Sequence, residues 1–172
     1  MNQRIIISLL TFALATNCYA KANPVKTPPP LKGSEVHVYK EASNSKLILN
    51  VFSPEKHNPK KDKLPAVVFF FGGGWVGGSS KQFQPHCEYL ASRGMVAISA
   101  DYRVKSRQGT TPFDCVRDGK SAVRWIRANA EKLGIDPDKI AAGGGSAGGH
   151  VAAATGNLQG LDEKGEDLSI SS

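Results

Sequence analysis

A mostly parallel α/β sheet with an antiparallel hairpin at its N-terminal side is the architecture that the hydrophobic patterning predicts. Two apolar runs, Ala66 to Phe71 and Met95 to Ala100, have the length of strands and no polar alternation, as strands covered on both faces do. Segments with helical spacing follow each of them, and strand followed by helix followed by strand is the signature of parallel units. Ahead of them, Glu35 to Tyr39 and Lys46 to Phe52 alternate polar with apolar residues around a turn-prone Ser43-Asn44-Ser45, which predicts the hairpin.

The elements can be justified in chain order. At 172 residues and 40% apolar content the chain can bury one core and is too short for two ordinary domains. Residues 1–20 carry an early Arg4, an apolar run from Ile5 to Ala15 and a small-residue exit ending in Cys18-Tyr19-Ala20. That order predicts a signal peptide cleaved after Ala20, hence a secreted or periplasmic protein. The run is shorter than the roughly 20 residues a membrane-spanning helix needs, so no stable span is expected after cleavage. Residues 21–34 contain Pro24 and Pro28-Pro29-Pro30, which forbid helix and predict an extended linker. The remaining domain is 35–172.

Within that domain, Ala66 to Phe71 lies between Pro65 and Gly72 and is expected at the centre of the sheet. Gln82 to Arg93 places Phe83, Cys87, Leu90 and Ala91 at helical spacing and stops at Gly94, after which Met95 to Ala100 is the next strand. Asp114 to Lys132 repeats the pattern with Val116, Ala122, Val123, Trp125 and Ile126, and Gly134 ends it. Lys139 to Ala142 then reads as a short strand and a third helix begins at Ala147.

The net charge of +7 comes from scattered Lys and Arg, with one cluster from Lys56 to Lys63 in a loop containing Pro54 and Pro59. A nucleic-acid surface needs a basic stripe with interleaved exposed aromatics, which is absent, so the cluster reads as a solvated loop and no nucleic-acid partner is expected. Binding to polyanions through this charge is a weaker rival, and steep salt dependence would reveal it. Outside the signal segment stand two cysteines, Cys87 and Cys115, both in helical patterns where an unpaired buried thiol is favoured over a disulfide.

The chemistry concentrates in two glycine-rich segments. Gly144-Gly145-Ser146-Ala147-Gly148 is a Gly-x-Ser-x-Gly element between a predicted strand and a predicted helix. A serine on so sharp a turn adopts a strained backbone, and side chains two residues to either side would collide, so Gly144 and Gly148 make the turn feasible. The turn lifts Ser146 Oγ above the carboxyl edge of the sheet, and the helix start sets the Ala147 N–H beside any oxyanion formed there. Gly72-Gly73-Gly74-Trp75 follows the Phe-rich strand, where its backbone N–H groups can turn toward developing negative charge. Neither segment has the Gly-Lys-Ser/Thr ending or the dinucleotide spacing of a phosphate cradle.

Together these residues resemble the esterases and lipases of the α/β-hydrolase fold related to hormone-sensitive lipase, among them bacterial acetyl esterases and carboxylesterases. The resemblance runs from about Leu47 to the end of the chain. It implies the N-terminal part of an α/β-hydrolase fold truncated after the helix that follows the nucleophile, with Ser146 as nucleophile and Gly73, Gly74 and Ala147 as oxyanion donors. Gly72 is the substitute if the register differs. Phe71 stands where the family usually has a histidine, a departure that bears on loop geometry more than on mechanism. Asp101-Tyr102-Arg103 and Arg124-Trp125 also match the family and read as scaffold. The resemblance implies a small-molecule carboxylic ester with a small acyl group as substrate, and no cofactor and no metal.

A serine hydroxyl needs an imidazole base, and the base needs an orienting carboxylate. In this fold they follow the serine in the order acid, then histidine. His150 is the one histidine after Ser146; its i+4 position predicts a packed, hydrogen-bonded core residue beneath the turn. His37, His57 and His86 belong to segments away from the site, and Asp162, Glu163, Glu166 and Asp167 read as solvated charges. The expectation is an in-frame incomplete domain whose last strand is an edge, prone to marginal stability and self-association, with feeble catalysis by itself. The alternative is a non-catalytic remnant or binding module that keeps part of the fold.

Overall fold

Ser43 and Asn44 adopt φ of +50° and +57°, the left-handed pair whose twist suits a two-residue hairpin turn. β1 (Glu35–Ala42) and β2 (Ser45–Phe52) accordingly pair antiparallel, with Ala42 opposite Ser45 and an irregularity between Val38 and Lys40. The computed structural model describes residues 27–172, so the expected signal peptide over 1–20 and the first part of the linker over 21–34 lie outside the described residues. The elements that follow are β3 (Leu64–Phe70), a 3₁₀ turn (Ser80–Phe83), α1 (Gln84–Ser92), β4 (Val96–Ala100), α2 (Lys105–Gln108), α3 (Pro112–Ala128), α4 (Ala130–Leu133), β5 (Ile135–Gly144) and α5 (Ala147–Asn157).

The sheet order is β1-β2-β4-β3-β5, with β3 parallel to both β4 and β5 and β2 antiparallel to β4. β3 is flanked on both sides, as its unbroken apolar run predicts. Its side chains alternate between two cores. Val68 and Phe70 join Ile126 and Val151 from the α3 and α5 side, while Val67 and Phe69 pack with Cys87, Ala91 and Leu90 from α1. Gly119 of α3 permits the close crossing with α5, since a Cβ there would sit 2.5 Å from Val151 Cγ1.

Four expectations change. The long helix begins at Pro112, where the Asp114 carboxylate accepts from the Thr111 N–H at 2.9 Å, and it breaks at Asn129 instead of running to Lys132. β5 is ten residues and not four, because Asp136-Pro137-Asp138, which look like a turn, are carried as an irregularity between the Leu64–Ile135 and Ala66–Ile140 pairings. The basic loop is only partly solvated: Lys56, Lys60, Lys61 and Lys63 are exposed, but the His57 ring is buried between Asp62 (3.0 Å) and the Leu133 carbonyl (2.8 Å).

The fourth change concerns the acidic segment after α5, which docks on the domain. Asp162 pairs with Lys120 at 2.8 Å and with Arg124, and Glu166 pairs with Arg124 at 2.8 Å. Glu163 meets Lys40 at 2.5 Å and Arg103 at 3.3 Å. The Lys120 ammonium, followed by Arg124, holds the Asp162 carboxyl below the usual carboxylate range. Only Asp167 matches the expected local role, accepting from the Ser169 N–H at 3.0 Å. Lys120 and Arg124 come from α3, Lys40 from β1 and Arg103 from the segment after β4, so one acidic stretch gathers cations from three parts of the chain.

Cys87 and Cys115 are both free and buried, one in each core, and burial pushes both thiols up to about 12.

Candidate active site

β5 delivers the chain to the carboxyl edge of the sheet and α5 takes it away again within two residues, leaving Ser146 exposed at the corner. Its backbone sits at φ +49° and ψ −119°, a region that side-chain-bearing residues rarely occupy and that surrounding structure must enforce. The enforcement is visible at the flanking glycines. A Cβ on Gly144 would lie 2.4 Å from the Gly148 carbonyl carbon, and one on Gly148 would lie 2.0 Å from the Phe70 carbonyl oxygen. Both approaches are far inside van der Waals contact, so β3, β5 and α5 meet with no room for a methyl group.

The loop after β3 approaches the same corner. A Cβ on Gly72 would be 2.9 Å from the Gly145 carbonyl oxygen and 3.5 Å from Ser146 Cβ. Gly73, Gly74 and Trp75 have φ of +142°, +61° and +61°, so the backbone runs through left-handed conformations that glycine makes feasible at the first two positions. Among the described residues the Gly73 and Gly74 N–H groups have no acceptor, and the loop curls on itself through Val76 and Gly77 N–H donating to the Gly73 carbonyl at 3.0 and 3.1 Å. Gly72 is different: its N–H donates to Gln82 Oε1 at 2.6 Å and is already occupied. Ala147 opens α5 directly after Ser146, where the positive end of the helix dipole lies.

Phe71 is fully buried. Its ring stacks on Tyr102 with centroids 4.1 Å apart, and the Tyr102 hydroxyl donates to the Phe71 carbonyl at 2.5 Å. An aromatic stack thus seats the loop where the resembled family usually has a histidine. Asp101 and Arg103 are scaffold: Arg103 forks onto the buried Asp118 carboxylate at 2.8 and 2.7 Å, and Asp101 receives Arg107 at 2.9 Å. Burial pushes the Asp101 carboxyl up to about 6, against the opposing pull of Arg107.

His150 is not the packed core residue expected from its spacing. It is exposed, with its ring edge-on to Trp75 at a centroid distance of 5.6 Å. The turn of helix from Ser146 carries it round to the loop side instead of under the sheet. His37 lies against Trp125, His57 under the basic loop, and His86 beside Phe83 and Phe69. Among the described residues no cluster of three or more His, Cys, Asp or Glu could hold a metal ion. The residues that sequence reasoning missed are Gly77, Gly78, Gln82 and Arg107. The two glycines are visible as a second pair, but nothing in spacing relates Gln82 or Arg107 to the loop.

Residues 49–171 match the BD-FAE family model. The chain belongs to the BD-FAE family. This BD-FAE chain has the α/β-hydrolase fold and is related to carboxylesterases of the hormone-sensitive-lipase-like type. It is similar to esterase 2 of Thermogutta terrifontis, with 53% identity, a TM-score of 0.81, and coverage of 85% of this chain and 54% of that one. It is 35% identical over 100 residues to carboxylesterase NlhH of Mycobacterium tuberculosis, covering 57% of this chain and 30% of the relative. It is 38% identical over 112 residues to an arylesterase of Saccharolobus solfataricus, covering 63% and 34%. The chain therefore spans about a third of these curated relatives and about half of the solved esterase. No helix among the described residues is long and apolar enough to cross a membrane.

Proposed function

We propose that the protein hydrolyses carboxylic esters with small acyl groups through an acyl-enzyme on Ser146. The observation that carries this reading is the strained Ser146 corner, packed against a glycine loop whose exposed Gly73 and Gly74 N–H groups are engaged by no protein acceptor among the described residues. Ser146 Oγ attacks the ester carbonyl, and the N–H groups of Gly73, Gly74 and Ala147 receive the oxyanion. Collapse expels the alcohol, and water then releases the acid and restores the hydroxyl. The reading requires an imidazole base with its carboxylate at Ser146 Oγ, which the described residues do not bring there. Small acyl groups are supported by the Thermogutta esterase, solved with propionate and with butyrate bound.

The same esterase has been solved phosphonylated by cyclosarin, which recommends an organophosphorus probe. A fluorophosphonate applied to the protein is expected to label the parent and not Ser146→Ala, with 4-nitrophenyl acetate hydrolysis lost in parallel. Absence of label in a folded parent would sink the enzymatic reading in favour of a non-catalytic module. Residues 1–20 support a secreted or periplasmic location, and the exposed β5 edge supports self-association.

A further inference from the structure

We propose that Arg107 is the positioning residue of the oxyanion loop; this rests on the ester-hydrolysis reading of Ser146. Arg107 lies on α2, outside both glycine motifs, yet its guanidinium reaches three segments at once. Nη1 donates to the Gly78 carbonyl at 2.6 Å, and Nη2 donates to Asp101 Oδ1 at 2.9 Å and to the Tyr102 carbonyl at 3.0 Å. The same group lies over the Phe71 ring, 5.6 Å from its centroid. The residues on either side of the glycine loop, Phe71 and Gly78, are thus tied by one side chain to the end of β4.

Gly78 matters because the loop is closed on itself. A Cβ on Gly78 would be 2.2 Å from the Gly72 carbonyl oxygen, and one on Gly73 would be 2.3 Å from the Gly77 carbonyl oxygen. Gly72 and Gly73 cannot shift without displacing Gly77 and Gly78, so a hold on the Gly78 carbonyl is a hold on the Gly73 and Gly74 N–H groups. The Lys105 and Ser106 N–H groups donate to the Trp75 and Val76 carbonyls at 2.9 Å each, which brings α2 against the middle of the loop. A loop with four left-handed residues, Gly73, Gly74, Trp75 and Gly78, relaxes unless it is held, and the fork geometry of arginine serves the carbonyl and the carboxylate together. Lysine, a point charge, serves one of them.

The test compares the parent protein with Arg107→Ala, Arg107→Lys and, as a surface control, Arg117→Ala. Active sites are counted with a fluorophosphonate so that turnover refers to folded, competent molecules. Arg107→Ala is expected to lower kcat on 4-nitrophenyl acetate by about 10- to 100-fold, with KM changed less than about threefold, since a displaced oxyanion donor costs up to 10²–10³ in turnover. Arg107→Lys should recover thermal stability but less than half of the lost kcat, and Arg117→Ala should match the parent. Hydrogen exchange of residues 72–78 should accelerate in Arg107→Ala while β1 and α1 stay protected. Parental kcat per titrated site in Arg107→Ala, or unchanged exchange over 72–78, would overturn the proposal. If the parent itself neither labels nor turns over, the ester-hydrolysis reading fails, and the exchange measurement alone decides whether Arg107 holds the loop.

Discussion

Gly148 and Gly156 occupy the same helix and have opposite requirements. At Gly148 a methyl group would overlap the carbonyl oxygens of Phe70 and Phe71 at 2.0 and 2.4 Å, and those atoms belong to the backbone of β3 and the residue after it, so they cannot give way. Gly156 has nothing within 4 Å and an ordinary helical backbone. Gly148→Ala is therefore expected to destabilise the domain by about 2 kcal/mol or more, as other backbone and overpacking clashes do, and to disturb the Ser146 corner. Gly156→Ala should stabilise it by up to about 1 kcal/mol, because alanine loses less conformational freedom on entering a helix. Urea unfolding of the two variants beside the parent checks both signs, and equal effects would mean that α5 does not press on β3 as described. Gly148 was legible in the sequence because the serine motif names it. His150 was not, because a position four residues along a helix fixes its angle about the axis but not whether a neighbouring loop or the sheet fills the space there.

At the scale of elements, the segment after α5 is held chiefly by charge. Arg124 donates to Asp162, to Glu166 at 2.8 Å and to the Ile170 carbonyl at 2.9 Å, and Lys120 donates to the Leu158 and Gly160 carbonyls at 3.0 and 2.6 Å. Lys120 and Arg124 are themselves buried while their carboxylate partners are part-exposed, so removing Arg124 leaves Asp162 and Glu166 to water and frees the segment. Arg124→Ala is expected to cost about 1–3 kcal/mol and to open residues 158–172 first. Limited proteolysis should then cut within that segment while the sheet stays intact; protection equal to the parent would show that Arg124 is not what holds it. Sequence patterning could not give this result. Periodicity reports apolar contacts, so it leaves Lys120 unassigned, and the scaffold reading of Arg124 names no partner for it. The order of strands and helices, by contrast, was legible from Ala66 to Phe71, Met95 to Ala100 and the glycine stops, because burial on two faces leaves runs that no amphipathic helix shares.

For the whole molecule, the asymmetry of the sheet is the dominant fact. β3 and β4 are covered on both edges, whereas among the described residues β5 pairs only with β3, and Pro137, Asp138, Lys139, Ala141 and Ala142 along it are exposed. An edge with small apolar residues and free backbone groups is a template for another strand. Sedimentation velocity of the 172-residue chain is expected to show association that grows with concentration and weakens in Ala142→Lys, which puts a charge on that edge. A monomer at every concentration would remove β5 as an association surface. The sharp turn at the end of this same strand was legible from the spacing of Gly144 and Gly148, but the side chains that surround the neighbouring loop were not. Gln82 and Arg107 reach it from seven and 32 residues beyond Trp75, and only the fold makes them neighbours.

The two cysteines give the molecule an internal gauge. Cys87 is sealed on the inner face of α1 on one side of the sheet and Cys115 on the inner face of α3 on the other, neither is in a disulfide, and both are held protonated by burial. A thiol in that condition reacts with an alkylating reagent only when the layer above it lifts. The chain thus carries one native reporter for each of its two helical layers. The order in which the two sulfurs become reactive would tell which layer peels from the sheet first, without adding any label to the protein.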